Sequence, residues 1–190
     1  EKNIDDLYNS MVKISAEVTH SEASSLLLYD IDSNRLHFKS TTATEQVGTG
    51  MGIPDDPGVA WHVFTKKETV ILNDVRGDER FSRGIDMETG LITRNIICTP
   101  MTARGKIVGV LEVVNSQGRD EYSEIDRSFM EVISIISSSA ITNRLLYEDL
   151  KKRMEELNAL YSLSTAAVVA SDVTDFFQTG SRHSGGFSKC

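Results

Sequence analysis

The sequence predicts an α+β fold in which helices flank a central antiparallel sheet and a long C-terminal coiled-coil helix follows. Three observations predict it. Short apolar or alternating runs occur in pairs joined by turn residues, which is typical of antiparallel hairpins. Apolar residues spaced three and four apart indicate an amphipathic helix over residues 3–19, whose apolar face would comprise Ile4, Leu7, Met11, Ile14 and Val18. A second helical pattern begins near residue 123 and meets nothing that would break it until about residue 171.

The first half of the chain predicts one hairpin and an irregular connection. Residues 24–30 and 35–42 are strand-like runs on either side of the turn Asp32-Ser33-Asn34. The segment 48–58 is rich in glycine and proline, so it must be irregular.

The middle of the chain predicts a short helix, a strand and a second hairpin. The helix is expected over 58–68 and the strand over 69–75. Residues 95–103 and 106–115 are β-rich runs joined at Arg104-Gly105, which predicts an antiparallel hairpin with a tight turn. Pro100 requires an edge position or a bulge in the first strand of this hairpin.

The long C-terminal helix should begin at a capping box, because Asp126 follows Ser123 by three residues. Its first half can pack on the sheet, whereas its second half has nothing of its own chain to contact. A solvated helix with many charge pairs is one interpretation, and a parallel coiled coil is favoured because the apolar spacing is sustained. Asn143 and Arg153 would lie in the seam and fix its register. The seam comprises Ile125, Phe129, Val132, Ile136, Ser139, Asn143, Leu146, Leu150, Arg153, Leu157, Leu160, Ser164 and Ala167.

Composition narrows the functional classes. The 190 residues carry a formal net charge of −8, which disfavours a non-specific nucleic-acid binder. The two cysteines, Cys98 and Cys190, form no spaced framework, so we expect a reducing, cytoplasmic compartment. No apolar run reaches the roughly 20 residues of a membrane span. The chain opens on Glu1, which suggests a fragment, divided into a sensory domain (1–145), a coiled-coil signalling helix (146–171) and a flexible tail or the start of another module (172–190).

A polar stretch precedes the second hairpin. Asp86, Thr89 and Thr93 are hydrogen-bonding side chains just before a strand that looks buried. They either cap a helix end or form a lid over a pocket for a polar ligand.

Glu112 is the one acid in a strand of Val and Leu, and is either an outward-facing edge residue or part of a pocket. Cys98 is expected to be a small core residue, with a redox or chromophore role as the alternative. The histidines lack metal-ligand spacing, so no metal site is expected.

Residues 81–126 resemble the GAF domains of cyclic-nucleotide phosphodiesterases and cyanobacterial adenylate cyclases. The motifs that carry the resemblance are "RGID..TG..TRN", "C.P" and "G.VGV.E..N", with the aromatic residue and the aspartate that follow. The resemblance covers roughly residues 4–145 and implies a GAF-type sheet with a pocket on one face. It implies a cyclic nucleotide as one candidate ligand, although the sequence does not name the ligand. The pocket residues that it implies are Ser25, Thr41, Thr42, Ala60, Asp86, Thr89, Thr93 and Glu112.

The chain departs from the family pattern at two places. The family has Asn-Lys, then Phe, then Asp-Glu, whereas this chain has Asn115-Ser116, Tyr122 and Asp126-Arg127. Ser116 cannot form the Lys–Asp ion pair of the family. Thr41 and Thr42 stand where the phosphodiesterase pocket has Phe-Asp.

The sequence therefore predicts a regulatory, non-catalytic domain that senses a small molecule. A homodimer formed through the N- and C-terminal helices would pass the ligand state to an output domain, with no nucleic acid or membrane bound by this segment. The alternative is a ligand-free GAF dimerisation module with a structural role only.

Overall fold

The computed structural model describes residues 2–43, 58–81, 86 and 91–183. The predicted α+β class with an antiparallel sheet and a long C-terminal helix is confirmed. The predicted irregular segment 48–58 lies outside the described residues except for Gly58. In chain order the elements are α1 (Lys2–Thr19), β1 (Ser21–Asp30), β2 (Arg35–Thr41), α2 (Val59–Lys66), β3 (Val70–Leu72), a 3-10 turn (Val75–Gly77), β4 (Ile96–Ala103), β5 (Lys106–Ser116) and α3 (Glu124–His183).

The sheet has five strands in the order β2-β1-β5-β4-β3, and all neighbouring strands run antiparallel. The β4–β5 hairpin turns at Arg104 and Gly105, whose φ angles of 51° and 76° are those of the tight turn that the sequence predicts. Pro100 is tolerated because β3 pairs with β4 only from Ile96 to Cys98, so β4 is an edge strand beyond that point. A register shift follows between Met101 and Thr102.

The two faces of the sheet have different coverings. Leu26, Ile97 and Leu111 point to the face that packs on α1 and α3, and they share a buried cluster with Met130 of α3. The opposite face packs on α2 through a second buried cluster. The members of that second cluster are Ala23, Leu27, Leu36, Phe38, Val59, Ala60, Val63, Val70, Leu72, Val75, Ile96, Cys98, Val110 and Val114.

Helix α1 forms where predicted but buries a different face from the one its apolar spacing suggests. Ile14 and Val18 are 49% and 39% exposed, whereas Ser15 and Thr19 are fully buried. The two hydroxyls can be buried because Ser15 donates to the carbonyl of Met11 (2.8 Å) and Thr19 donates to the carbonyl of Ser15 (2.7 Å). Two apolar side chains of α1 therefore remain in contact with solvent.

Helix α3 begins at the predicted capping box and ends at His183, later than the predicted end near residue 171. The Ser123 backbone N–H donates to Asp126 Oδ2 (2.8 Å), and the Asp126 N–H donates to Ser123 Oγ (3.4 Å). The first half packs on the sheet as predicted, but through Met130, Ser134 and Ile141 rather than through the seam. The seam residues of that half remain exposed: Ile125, Phe129, Val132 and Ile136.

The chain divides into two compact units, Glu1–Arg144 and Leu145–Cys190. The first contains the sheet and the helices packed on it. The second contains the continuation of α3, and its described side chains are exposed except for Glu148, which is half-buried. No helix among the described residues combines the length and the apolar character that a membrane crossing demands.

Candidate functional site

A row of polar side chains crosses the face of the sheet that carries α2. Thr41 of β2 pairs with Ser25 of β1, Ser25 pairs with Glu112 of β5, and Glu112 pairs with Cys98 of β4. At Cys98 the row meets the apolar cluster, because Val70 of β3 lies opposite Cys98. Residues paired in register across antiparallel strands share one face, so these side chains are neighbours. The row is a polar interruption of an otherwise apolar face.

Hydrogen bonds connect the members of the row. The hydroxyls of Ser25 and Thr41 lie 3.0 Å apart. Ser25 also donates to the carboxylate of Glu112, a bond that favours the ionised acid. The Ser24 hydroxyl donates to the backbone carbonyl of Glu112 (2.9 Å), which fixes the backbone beneath the carboxylate. The row is thus a connected chain of hydroxyl and carboxyl groups.

The pKa of Glu112 is raised by its position on the sheet. Loss of hydration on a sheet face lined by apolar residues is the main cause, and it is opposed by the hydrogen bond with Ser25 and supported by the Asp86 carboxylate; together these effects raise the pKa of Glu112 to about 7. The residue nevertheless keeps part of its surface accessible. Glu112 is therefore poised between its neutral and charged forms near neutral pH, in contact with a space that solvent reaches.

Asp86 and Thr93 close one side of this group. The Thr93 hydroxyl donates to Asp86 Oδ1 (2.6 Å) and the Thr93 backbone N–H donates to Asp86 Oδ2 (2.9 Å). The Asp86 carboxylate also acts electrostatically on Glu112. Of the residues predicted for the pocket, Ser25, Thr41 and Glu112 are therefore neighbours in the row, and Asp86 and Thr93 are hydrogen-bonded to each other.

The remaining predicted site residues have other surroundings. Ala60 of α2 is 6% exposed and belongs to the buried cluster that contains Cys98. Thr42 is exposed, and its hydroxyl accepts a hydrogen bond from the Ser24 backbone N–H (2.9 Å) at the edge of the sheet. Thr89 lies outside the described residues.

Cys98 is a fully buried residue of β4. Burial raises the pKa of its thiol well above the ordinary value, and the neighbouring Glu112 carboxylate adds to the effect. A protonated thiol in a packed strand behaves as a small apolar side chain. This environment supports the prediction of a core residue.

The sequence did not identify the residue that pairs with Asp126. Arg119 donates to both carboxylate oxygens of Asp126, at 2.9 and 3.0 Å. Burial alone would raise the pKa of Asp126, but the bonds from Arg119 and Ser123 outweigh it and hold that pKa below its ordinary value. The buried acid is therefore paired, although Ser116 occupies the position of the family lysine. A search for any cationic residue in the loop after β5 would have identified Arg119 as a candidate partner.

A cleft of about 1030 Å³ opens at the end of the sheet where β5 leads into α3. Asp86 and Thr93 line it, and so does Arg119. The cleft does not include Ser25, Thr41 or Glu112. Among the residues that the structure describes, no group of His, Cys, Asp and Glu could hold a metal ion.

Comparison with known protein families identifies the family to which most of the chain is similar. A family model described as "GAF domain" matches residues 1–142. Curated relatives include the probable 3',5'-cyclic phosphodiesterase pde-5 of Caenorhabditis elegans, 27% identical over 50% of this chain and 13% of that protein. The dual 3',5'-cyclic-AMP and -GMP phosphodiesterase 11 of Drosophila melanogaster is 31% identical over 56% of this chain and 7% of that protein. The matched part of this chain spans less than a fifth of the length of these relatives.

Solved structures show the same fold at low sequence identity. The GAF domain of an Acinetobacter phosphoenolpyruvate-protein phosphotransferase matches with a TM-score of 0.65 and 22% identity, over 76% of this chain and 85% of that one. The GAF domain of a two-component sensor histidine kinase from Bacillus halodurans matches with a TM-score of 0.62 and 22% identity, over 76% of this chain and 97% of that one.

Proposed function

Because the chain belongs to the GAF domain family, we propose that it is a regulatory domain that binds a small molecule. It would pass the ligand state to an output domain of its parent protein. The ligand would lie on the α2 face of the sheet, against the polar row and the Asp86–Thr93 pair. In this proposal the domain regulates and does not catalyse.

The observation that carries the proposal is the position of Glu112 on a central strand. A carboxyl group on an apolar face costs free energy unless it has partners, and its raised pKa is the sign of that cost. Ligand pockets have this composition, an apolar wall with a few placed polar groups. The connected hydroxyls of Ser25 and Thr41 and the acid Asp86 give the site both donors and acceptors. A polar ligand would satisfy the groups that the fold has gathered here.

A cyclic nucleotide is the first ligand to test. The curated relatives are named for enzymes that act on cyclic AMP and cyclic GMP. The chemistry of the row is compatible with such a ligand, since carboxyl groups accept hydrogen bonds from the donor groups of a base. Serine and threonine hydroxyls serve as donors to phosphate or ribose oxygens.

The ligand state would be passed to the output domain through a helical dimer. The exposed apolar residues Ile125, Phe129, Val132 and Ile136 recur at spacings of three and four along α3, on a face that the sheet leaves free. Ile14 and Val18 leave part of α1 apolar as well. Exposed apolar side chains in a continuous stripe are typical of an interface. We infer that a second copy of the chain covers both helices, in a parallel arrangement.

Calorimetry with cyclic AMP and cyclic GMP tests the proposal on the wild type, Thr93→Ala and Asp86→Ala. A lost hydrogen bond to a charged group is worth roughly 1.5–3 kcal/mol, so each substitution should weaken binding about tenfold or more. Loss of a cap would instead lower stability by about 1 kcal/mol without any effect on a ligand. Thermal melts of the same variants separate the two roles.

Thr65→Ala is the matched control, because within the described part of the chain the Thr65 hydroxyl hydrogen-bonds to the carbonyls of Trp61 and His62 in its own helix. Its affinity for either nucleotide should equal that of the wild type. Lowered melting temperatures of Thr93→Ala and Asp86→Ala, with no binding of either nucleotide by the wild type, would favour the ligand-free dimerisation module.

A further inference from the structure

Arg119 joins the end of α1 to the beginning of α3. Besides its two bonds to the Asp126 carboxylate, its guanidinium donates to the backbone carbonyl of Thr19 (3.2 Å). Thr19 is the last residue of α1, where helix carbonyls lack partners within the helix. Asp126 lies in the first turn of α3. The positive charge therefore faces the negative end of one helix and holds an acid at the positive end of the other.

The geometry requires an arginine. The two terminal nitrogens of Arg119 reach three acceptor oxygens on two different elements. A planar guanidinium presents its donors in a fixed fork, whereas a lysine is a single charge that moves on a flexible stem. Asp126 is only 3% exposed, so its carboxylate is shielded from solvent, whereas the Arg119 side chain that pairs with it is exposed. Arg119 thus fixes the position of α1 relative to the first turn of α3.

The loop that carries Arg119 is bound to the segment before β4 by two asparagines. Asn95 accepts from the Ser116 backbone N–H (2.8 Å) and donates to the Asp120 carbonyl (2.8 Å). Asn115 accepts from the Arg94 backbone N–H (2.7 Å) and donates to the Ile92 carbonyl (2.9 Å). These bonds hold the start and the middle of the loop to residues 92–95. A displacement of that segment would displace the loop.

The same segment carries the hydrogen bonds of the ligand site. Thr93 makes both bonds to Asp86, and it stands next to Arg94 and Asn95 in the chain. Asp86, Thr93 and Arg119 also line the same cleft. A continuous set of hydrogen bonds therefore runs from Asp86 through residues 92–95 and the loop after β5 to both helices.

We propose that Arg119 is a positioning residue that couples the Asp86–Thr93 pair to α1 and α3, so that the placement of the helices depends on whether that pair is formed. The use of this coupling in signalling rests on the proposed function. The coupling itself is a property of the unliganded chain and is measured without a ligand. Its failure is therefore distinguishable from a failure to bind a small molecule.

A double-mutant cycle on unfolding free energy tests the coupling, with Thr93→Ala combined with Arg119→Gln. Residues without shared partners have additive effects to within about twofold in the unfolding equilibrium constant. The proposal predicts a departure from additivity of more than about twofold, because loss of either end loosens the other. Thr65→Ala combined with Arg119→Gln is the control and should be additive. Additivity of the Thr93 and Arg119 substitutions overturns the proposal.

Arg119→Lys gives a second measurement that needs only the folded protein. The substituted lysine keeps a positive charge that can pair with Asp126, but it lacks the guanidinium group that also donates to the Thr19 carbonyl. Native-state hydrogen exchange should then be faster at the backbone N–H groups of Thr93 and Ser116 than in the wild type, relative to amides of the β1–β2 hairpin. Uniform acceleration of all amides, or none at Thr93, would show a structural pair without coupling and would overturn the proposal.

Discussion

Glu112 should make the stability of the domain depend on pH across the neutral range. Its pKa in the folded chain is about 7 against an ordinary value of 4.5, because burial and the Asp86 carboxylate disfavour the charged form. For a group whose pKa is raised by folding, the stability it contributes is fully present below the unfolded pKa. That stability is lost as the pH rises through the folded pKa. The window for Glu112 is therefore about pH 4.5 to 7.

Glu112→Gln removes the ionisation and keeps the shape. The step from 4.5 to about 7 corresponds to at most about 3.5 kcal/mol of unfolding free energy, because each tenfold change in proton affinity is worth about 1.4 kcal/mol. The surface that Glu112 keeps accessible lets water screen part of this. At about pH 4 the variant and the wild type should be similarly stable. At about pH 8 the variant should be more stable, by between about 1 and 3 kcal/mol.

Urea denaturation from about pH 4 to about pH 8.5 measures the effect as the difference between the two proteins, in which the other titrating groups cancel. Two further variants identify the causes. Ser25→Ala removes a bond that lowers the pKa of Glu112, so the midpoint of the difference should move to higher pH. Asp86→Asn removes the opposing charge, so the midpoint should move to lower pH. A stability difference that stays constant across the whole range would refute the burial argument.

Two further predictions concern the helix and the thiol. Leu150→Lys combined with Leu157→Lys should yield monomers by light scattering, because these leucines are 60% and 65% exposed in a single chain and would lie in the seam of the dimer; dimers of the variant would place the contact elsewhere. Cys98, studied in a Cys190→Ser background, should resist thiol reagents under native conditions because it is fully buried with a raised pKa, and rapid labelling would revive a redox or chromophore role.

Local patterns predicted most of the fold. The turn at Arg104-Gly105 and the capping box at Ser123 are short-range signals, and each determines its own geometry. Such short-range signals did not predict which face of α1 is buried. Apolar spacing favoured Ile14 and Val18, whereas the fold buries Ser15 and Thr19, whose hydroxyls are satisfied inside the helix. Spacing shows that a helix is amphipathic but does not show which apolar residues face the sheet and which face a partner.

The site was predictable only through the resemblance to GAF domains. No local pattern shows that Ser25 and Glu112, far apart in the chain, are paired across neighbouring strands, because strand register depends on the whole sheet. The same limit hid the pairing of Arg119 with Asp126. The family motif specifies a lysine at one position, whereas the structure requires only a cation that can reach the acid. A buried carboxylate needs a cation within hydrogen-bond distance, and another position in the loop can supply it.

The central claim is that the polar row on the α2 face binds a small molecule, and native mass spectrometry tests it most directly. The protein would be measured as purified from cells without denaturation, and again after addition of cyclic AMP or cyclic GMP. We expect one bound small molecule per chain in the wild type, and its loss in a Ser25→Ala, Thr93→Ala double variant that remains folded. A wild-type protein with the bare mass of the chain under all three conditions, or a bound molecule retained equally by the double variant, would show that the polar row is not a ligand site.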